Sequence, residues 1–297
     1  MYKPRLTILA ALGFLALAAA PVRAEVIFAV NGNNELLSFD SAAPGIILTR
    51  TAISSGGDAI LNIDFRPATG QLFGLSANNN LFTINVGTGL ATSVGPTTIT
   101  GGFDYGFDFN PVPDRIRVAT DAGGNFRVNP ANAGVTTDGN LFYVPGDANA
   151  GTAPQITGAA YTNNFPPSPR TPPPGTQLYY IDSNLDILGL SADPNSGGIQ
   201  TVGSLGLDVT GLLGFDISGL LGTAYASLSG DALTSALYRI NLSTGFATLI
   251  GNIGLRNGET ILDISAARVP EAGGTAVLVA ISTIGLLYFR RRISSNA

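Results

Sequence analysis

Short apolar stretches with alternating polar positions follow one another between residues 25 and 268, and none has the 3.6-residue period of an amphipathic helix. Three of them are Gln71-Leu-Phe-Gly-Leu, Gln177-Leu-Tyr-Tyr-Ile-Asp and Ala236-Leu-Tyr-Arg-Ile-Asn. Asn, Asp and Gly residues separate each stretch from the stretch that follows it in the chain. Alternation over about four to eight residues between such turn residues is typical of β-hairpins. The pattern therefore predicts an all-β domain.

A second type of stretch precedes these hairpins and occurs five times. Its starts are separated by 45, 51, 56 and 49 residues, close to the ~40–50 residues of a four-stranded propeller blade. Small, Gly-rich and apolar, these stretches suit the innermost strand of a blade, and they predict five blades. An open β-sandwich with coincidental repetition is the alternative. The five stretches are Ile60-Leu-Asn-Ile-Asp-Phe, Tyr105-Gly-Phe-Asp-Phe-Asn, Ile156-Thr-Gly-Ala-Ala-Tyr, Leu212-Leu-Gly-Phe-Asp-Ile and Ile261-Leu-Asp-Ile-Ser-Ala.

The two ends of the domain each carry an incomplete repeat. Val26-Ile-Phe-Ala-Val resembles a second strand without an inner strand before it, and Ile261–Ala266 is an inner strand with no outer strands after it. Joined, they form one blade, which predicts a ring closed by strands from both ends. The predicted fold of residues 25–268 is a β-propeller of five four-stranded blades, least regular in its third unit, Asn110 to Pro130.

The N-terminus has the pattern of a secretory signal peptide over residues 1–24. Lys3 and Arg5 precede an apolar run, and Val22-Arg23-Ala24 places small residues where signal peptidase cleaves. The run of 15 residues from Leu6 to Ala20 is shorter than the ~20 that a membrane-spanning helix needs, which disfavours the alternative of a retained anchor. We expect cleavage between Ala24 and Glu25.

The C-terminal tail, residues 269–297, resembles a PEP-CTERM sorting signal. Its parts are the motif Val269-Pro270-Glu271, an 18-residue apolar stretch from Ala272 to Phe289, and the basic cluster Arg290, Arg291 and Arg292. Ala272 stands where that signal usually has a second proline. The resemblance implies a transmembrane helix stopped by its arginines, recognition by an exosortase-type transpeptidase, and delivery from the inner membrane to the cell envelope, cell surface or extracellular matrix. A plain single-span anchor is the alternative.

Composition excludes several kinds of chemistry. The 297 residues include no His and no Cys, so zinc sites, catalytic triads and haem ligation that use these residues are excluded, as are disulfides. Nine basic and 19 acidic residues between positions 25 and 268 give a formal net charge of −10. Such a charge argues against a nucleic acid partner, because phosphates require a basic surface.

Several longer runs are distinctive. They are Asp64-Phe-Arg-Pro-Ala-Thr-Gly-Gln-Leu-Phe-Gly-Leu, Gly106-Phe-Asp-Phe-Asn-Pro-Val-Pro-Asp-Arg-Ile-Arg-Val, Gly146-Asp-Ala-Asn-Ala-Gly and Ala159-Ala-Tyr-Thr-Asn-Asn. These runs resemble the bacterial family called domain of unknown function 4394, over nearly all of residues 25–266. The resemblance implies a repeat-built β domain in exported proteins, and it implies no activity.

Two groups of residues are candidates for metal binding. Asp147 and Asn149 place oxygen ligands at alternate positions before Gly151, as calcium loops do, although an Asx-turn without metal is the alternative. No other cofactor is predicted. The inner-strand acids are expected to share one repeat position around the axis, where they either bind a cation or accept hydrogen bonds from backbone N–H groups. They are Asp64, Asp108, Asp216 and Asp263.

Charged residues of the third unit suggest two further sites. Arg115 and Arg117 point to one face of a strand, and with Arg127 they could clamp a carboxylate or phosphate. The alternative is that these arginines form ion pairs with Asp104, Asp108, Asp114 or Asp121. Asp114 and Asp121 are also a candidate acid–base pair for glycoside cleavage.

The sequence thus predicts an exported, non-enzymatic protein of the cell surface or extracellular matrix that binds exopolysaccharide or another surface protein. The alternatives are a propeller enzyme acting on sugars or lactones and a calcium-binding or ligand-binding module. A deep axial pocket lined by Asp, Arg and Tyr would favour the enzyme, whereas a filled axis would favour the non-enzymatic protein.

Overall fold

Strands and short connections make up the parts of the chain that the computed structural model describes, which are residues 24–166, 175–231 and 234–267. None of these residues belongs to a helix that is long and apolar enough to cross a bilayer. The predicted signal peptide before Ala24, the sorting motif and the tail helix lie outside the described residues.

Twenty-one strands form five sheets in a propeller arrangement, which confirms the predicted fold class. In chain order the strands are β1 (Val26–Asn31), β2 (Glu35–Asp40), β3 (Ala43–Ala52), β4 (Ile60–Phe65), β5 (Leu72–Ser76), β6 (Asn80–Ile84), β7 (Ala91–Pro96), β8 (Tyr105–Asn110), β9 (Arg115–Thr120), β10 (Asn125–Val128), β11 (Val135–Thr137), β12 (Phe142–Tyr143), β13 (Ile156–Tyr161), β14 (Leu178–Asp182), β15 (Ile187–Ser191), β16 (Gly198–Ser204), β17 (Gly214–Ile217), β18 (Ala224–Leu228), β19 (Ala236–Ile240), β20 (Ala247–Asn252) and β21 (Ile261–Ala266).

The first blade is closed by strands from both ends of the domain, as the split repeat predicts. Its order is β21-β1-β2-β3, and β1 pairs antiparallel with β21 so that Ile27 faces Ala266 and Ala29 faces Ile264. Blades two, three and five follow chain order as β4-β5-β6-β7, β8-β9-β10-β11 and β17-β18-β19-β20. Each begins with one of the predicted inner strands, so the repeat assignment is correct.

Blade four departs from the prediction by one strand. Its order from the axis outward is β13-β14-β15-β16-β12, and the short β12 pairs parallel with β16 through Phe142 and Tyr143. The chain therefore adds an edge strand to blade four before it enters that blade at β13. The outer edge of blade four is consequently built by the segment that leaves blade three.

Glycines let the inner strands converge on the axis. A Cβ on Gly214 would lie 2.3 Å from the backbone nitrogen of Ile264 in the next inner strand, and one on Gly106 would lie 2.7 Å from Ala159. These distances are too short for any side chain. The apolar core lies between neighbouring blades. For example, Ile181 of blade four packs in one cluster with Phe215 of blade five, and burial of such a side chain stabilises the fold by about 1.5–3 kcal/mol.

Candidate functional site

Three aspartates from different inner strands meet at the propeller axis. Asp64 on β4, Asp108 on β8 and Asp216 on β17 each offer a carboxylate oxygen, and these oxygens lie within 4.8 Å of one another. All three side chains are buried. The prediction that these inner-strand acids gather around the axis is correct for these three residues, which are called the axial triad below.

Each carboxylate of the axial triad accepts a hydrogen bond from the backbone of a neighbouring inner strand. Phe109 N–H donates to Asp64 (2.8 Å), Tyr161 N–H donates to Asp108 (2.8 Å), and Ala266 N–H donates to Asp216 (2.6 Å). These bonds join blade two to three, three to four, and five to one. The carboxylates therefore fasten neighbouring blades together, which is the structural role considered from the sequence.

Asp263 does not share the repeat position of the triad, so that part of the prediction is wrong. Asp263 accepts a hydrogen bond from Ile63 N–H (3.0 Å). This donor lies two residues earlier along its strand than the residues that donate to the triad carboxylates. Ser265 takes the triad position on β21 and donates its hydroxyl to Asp64 (2.7 Å). Strand β21 is therefore shifted by two residues relative to an alignment that places Asp263 with the three triad aspartates.

Burial and mutual repulsion disfavour the charged form of the triad. Burial and the charge of Asp216 raise the pKa of Asp64 well above its ordinary value of 3.8, and burial and the charge of Asp64 do the same to Asp108. Burial raises the pKa of Asp216 to about 6. One oxygen of Asp108 and one of Asp216 make no hydrogen bond of normal geometry. The cluster could hold either protons or a metal ion.

The axis around the triad is filled with side chains. Asp64 and Asp108 are 1% exposed and Asp216 is 2% exposed. A cavity of about 80 Å³ lies at one end of the axis, where Asn62, Tyr105 and Thr157 are among its lining residues. That volume is well below the ~300–1,000 Å³ of typical small-molecule sites. The cavity's described lining residues include Asp104 and Tyr105 but no arginine, and the cavity is too small to be the deep pocket that would favour an enzyme.

Asp147 and Asn149 hold a loop against the outer part of blade four. Both Asp147 oxygens accept hydrogen bonds, from Thr201 N–H and Thr201 Oγ1 at 2.7 Å each and from Asn149 N–H at 2.9 Å. Burial raises the pKa of Asp147, but these hydrogen bonds outweigh it and lower the pKa overall. Asn149 Nδ2 donates to Thr201 Oγ1 (2.9 Å). The arrangement includes the Asx-turn, and the calcium site stays a prediction.

The three arginines of the third unit lie together, as the clamp interpretation requires. Arg117 on β9 faces Arg127 on β10 across the sheet, and both pair with Asp138 rather than with any of the aspartates predicted. Asp114 instead pairs with Arg66. The ion pairs predicted from the sequence are therefore wrong. Asp138 lies 21 residues beyond Arg117 in an irregular segment, and no sequence pattern pointed to it.

The acid–base pair proposed for glycoside cleavage is also wrong. Asp114 and Asp121 flank the two ends of β9, and a strand of that length separates them by about 20 Å. Catalytic carboxylates of glycosidases lie about 5–9.5 Å apart. Asp121 instead accepts a hydrogen bond from Phe103 N–H (3.0 Å).

Comparison with known proteins identifies a family. Similar solved structures include a structural genomics protein of unknown function from Bacteroides thetaiotaomicron (14% identity, 68% of this chain and 53% of that chain, TM-score 0.48) and a nidogen/laminin complex (10%, 83% and 99%, 0.49). Another is dihydro-heme d1 dehydrogenase NirN in complex with DHE (12%, 80% and 47%, 0.36). The chain thus spans about half the length of the first of these.

No curated protein matches the chain. The family described as domain of unknown function (DUF4394) matches residues 35–265, which is most of the propeller. The chain belongs to this DUF4394 family.

Proposed function

We propose that this protein is an exported, non-enzymatic propeller of the cell surface or extracellular matrix, sorted through its C-terminal tail. The observation that carries the proposal is the filled axis. Its buried aspartates bond the backbones of neighbouring blades, so they are used to hold the ring together. A propeller enzyme that acts on sugars or lactones would need an open site with several catalytic groups there.

The wider depression elsewhere on the domain also favours a non-enzymatic role. It has a volume of about 410 Å³ and lies beside β12, and Asp121 is the one acidic or basic side chain among its described lining residues. General acid–base catalysis needs titratable side chains that can reach the reacting proton, and the Tyr143 hydroxyl in this depression donates instead to Asp182 (2.7 Å). With His and Cys absent from the chain, Asp121 has no residue of these types to act with.

The start of the domain agrees with the expected signal cleavage. Ala24 is exposed, whereas Glu25 is buried and its N–H donates to Ser41 Oγ (3.0 Å). Contacts of the first blade therefore include the residue directly after the proposed cleavage site. Signal peptidase and an exosortase-type transpeptidase are the processing partners that we propose, and the membrane is a partner through the tail before processing.

Mass spectrometry of the mature protein from its native cells tests this proposal. We expect an N-terminus at Glu25 and a C-terminus near Val269-Pro270-Glu271, with the protein in the envelope or matrix fraction. Replacing Val269, Pro270 and Glu271 with Ala should leave the full-length protein in the membrane.

Replacing Arg290, Arg291 and Arg292 with Ser should reduce processing at the motif, because each arginine costs ~2.5–3.5 kcal/mol at the bilayer centre and halts export of the tail. Processing and release of both mutants like the wild type would contradict the sorting proposal.

A further inference from the structure

A cavity between blades three and four brings three arginines together. Its volume is about 170 Å³, and it is lined by Asn110, Pro113, Arg115, Arg117, Arg127, Tyr161, Pro194 and Asn195. These are three of the nine arginines between residues 25 and 268, in a region whose formal net charge is −10. A cluster of positive charge on an acidic domain indicates that this cavity has a specific function.

The positive charge of the cavity is incompletely neutralised. Asp138 is the one carboxylate within 4.0 Å of any of the three guanidinium groups among the described residues. Burial raises the pKa of Asp138, but hydrogen bonds and the charges of Arg127 and Arg117 lower it overall, so Asp138 is ionised at neutral pH. Three guanidinium groups and one carboxylate leave a net charge of +2 at the cavity.

Arg117 is fixed in place by its neighbours. Its side chain is 2% exposed, and it donates to Tyr161 Oη (3.2 Å), Asn125 Oδ1 (2.7 Å), Asp138 (2.7 Å) and Asn195 Oδ1 (2.8 Å). These partners come from both blades that border the cavity. A charged group held by so many bonds needs no reorganisation when a ligand of opposite charge arrives.

Of the three cavity arginines, Arg115 makes the weakest interactions with other residues of the protein. Its Nη1 donates to the backbone carbonyl oxygens of Asp114 (2.8 Å) and Pro113 (3.4 Å), and no carboxylate of the described residues lies within ion-pair distance. Arg127 contacts Asp138 with two of its nitrogens, Nε and Nη2, and is 33% exposed. Arg115 and Arg127 are thus free to offer further donors to a ligand.

We propose that this cavity binds the carboxylate group of a uronic acid residue in an acidic exopolysaccharide. The inference rests on the proposed surface or matrix location, where such a polymer would be the ligand. Guanidinium groups bind carboxylates through paired N–H···O bonds, and the cavity admits one acidic group with part of the sugar ring. Exposed Asn195 lies at the same cavity and can bond the sugar hydroxyls.

The test is titration of the purified protein with tetragalacturonate, and with a neutral tetrasaccharide and inorganic phosphate as separate probes. We expect binding of tetragalacturonate alone, weakening as salt rises. Arg115→Gln should weaken it about ten- to a hundredfold, because a hydrogen bond to a charged group is lost. Arg115→Lys should give an intermediate loss. Arg239→Gln removes an exposed arginine of blade five and is the matched control.

A second variant keeps the test independent of folding. Asn195→Asp retains an oxygen for Arg117 and adds a negative charge at the cavity, so it should weaken tetragalacturonate binding at least tenfold. Absence of tetragalacturonate binding, or equal binding by wild type and both cavity variants, would overturn the proposal. So would phosphate binding as tight as that of tetragalacturonate. None of these three results would affect the export proposal, which depends on the mature termini and cell fraction.

Discussion

Replacing Asp216 with Asn tests whether the axial triad holds protons or a metal ion. Asp216 Oδ2 accepts a hydrogen bond from Ala266 N–H, and Asn can keep that acceptor in the same shape. Its Oδ1 makes no hydrogen bond of normal geometry, although the Ile217 N–H lowers the pKa of Asp216, so the Nδ2 group of Asn would take the place of a weakly bonded oxygen. The variant thus removes one of three converging carboxylates while it retains the bond between blades five and one.

The pH dependence of stability follows from the raised pKa. Burial raises the pKa of Asp216 from 3.8 to about 6, so between these pH values the folded state binds more protons than the unfolded state. The contribution of Asp216 to the free energy of unfolding is therefore fully present below pH 4 and is lost as pH rises through about 6. A shift of about two units corresponds to a loss of about 3 kcal/mol. Asp64 and Asp108 contribute to stability in the same direction, because burial and mutual repulsion raise their pKa values well above 3.8.

Urea denaturation of the wild type and Asp216→Asn in EDTA from pH 4 to 8 provides the assay. We expect equal stability at pH 4, where the wild-type carboxyl is protonated, and a variant more stable by about 3 kcal/mol at pH 8. Asp208→Asn, at an exposed aspartate, should show no such divergence. A variant that is less stable than the wild type at pH 8 in calcium buffer, with the order reversed by EDTA, would refute the reasoning. The triad would then be a metal site.

Two further substitutions test the loop of blade four and the crowded axis. Asp147→Ala should lower stability by about 1–2 kcal/mol because it removes the acceptor for Thr201. Thermal denaturation should show the same loss in calcium and in EDTA, and a calcium-dependent upshift of the wild type that this variant abolishes would instead establish the predicted calcium site. Gly214→Ala should cost about 3 kcal/mol in a urea titration because its Cβ would meet the Ile264 backbone. Gly175→Ala, where a Cβ meets nothing within 4 Å, is the control and should be neutral, and equal stability of these two glycine variants would contradict the packing argument.

The propeller was predictable because every blade must meet the same packing requirements. Inner strands need small residues where they converge, and outer strands need alternation, so the sequence carries the same pattern five times. The split repeat even predicted that β1 pairs with β21. The fifth strand of blade four was not predictable in this way, since β12 is two residues long and is defined by its partner rather than by its own pattern.

The error at Asp263 shows that aligning repeats by one residue type can shift a strand out of register. Asn62-Ile-Asp64, Gly106-Phe-Asp108 and Gly214-Phe-Asp216 all place a small or amide residue two positions before the aspartate. Asp263-Ile-Ser265 fits this frame only if Asp263 takes the earlier position. Aligning strands by their crowded glycine position would therefore have found the shift. The partner of Arg117 is different, because Asp138 meets it through the tertiary fold alone.

The proposed arginine cavity lies in the least regular unit of the repeat. Blade four has Ala160 where three other inner strands carry an aspartate, and the next residue, Tyr161, contacts Arg117. The bond from Tyr161 N–H to Asp108, which joins blades three and four, is retained beside the cavity. The third unit was the least regular in the sequence, and the same irregularity supplies Arg115, Arg117 and Arg127 to the cavity. In a repeat protein of this kind, departures from the repeat are therefore the first places to search for a binding site.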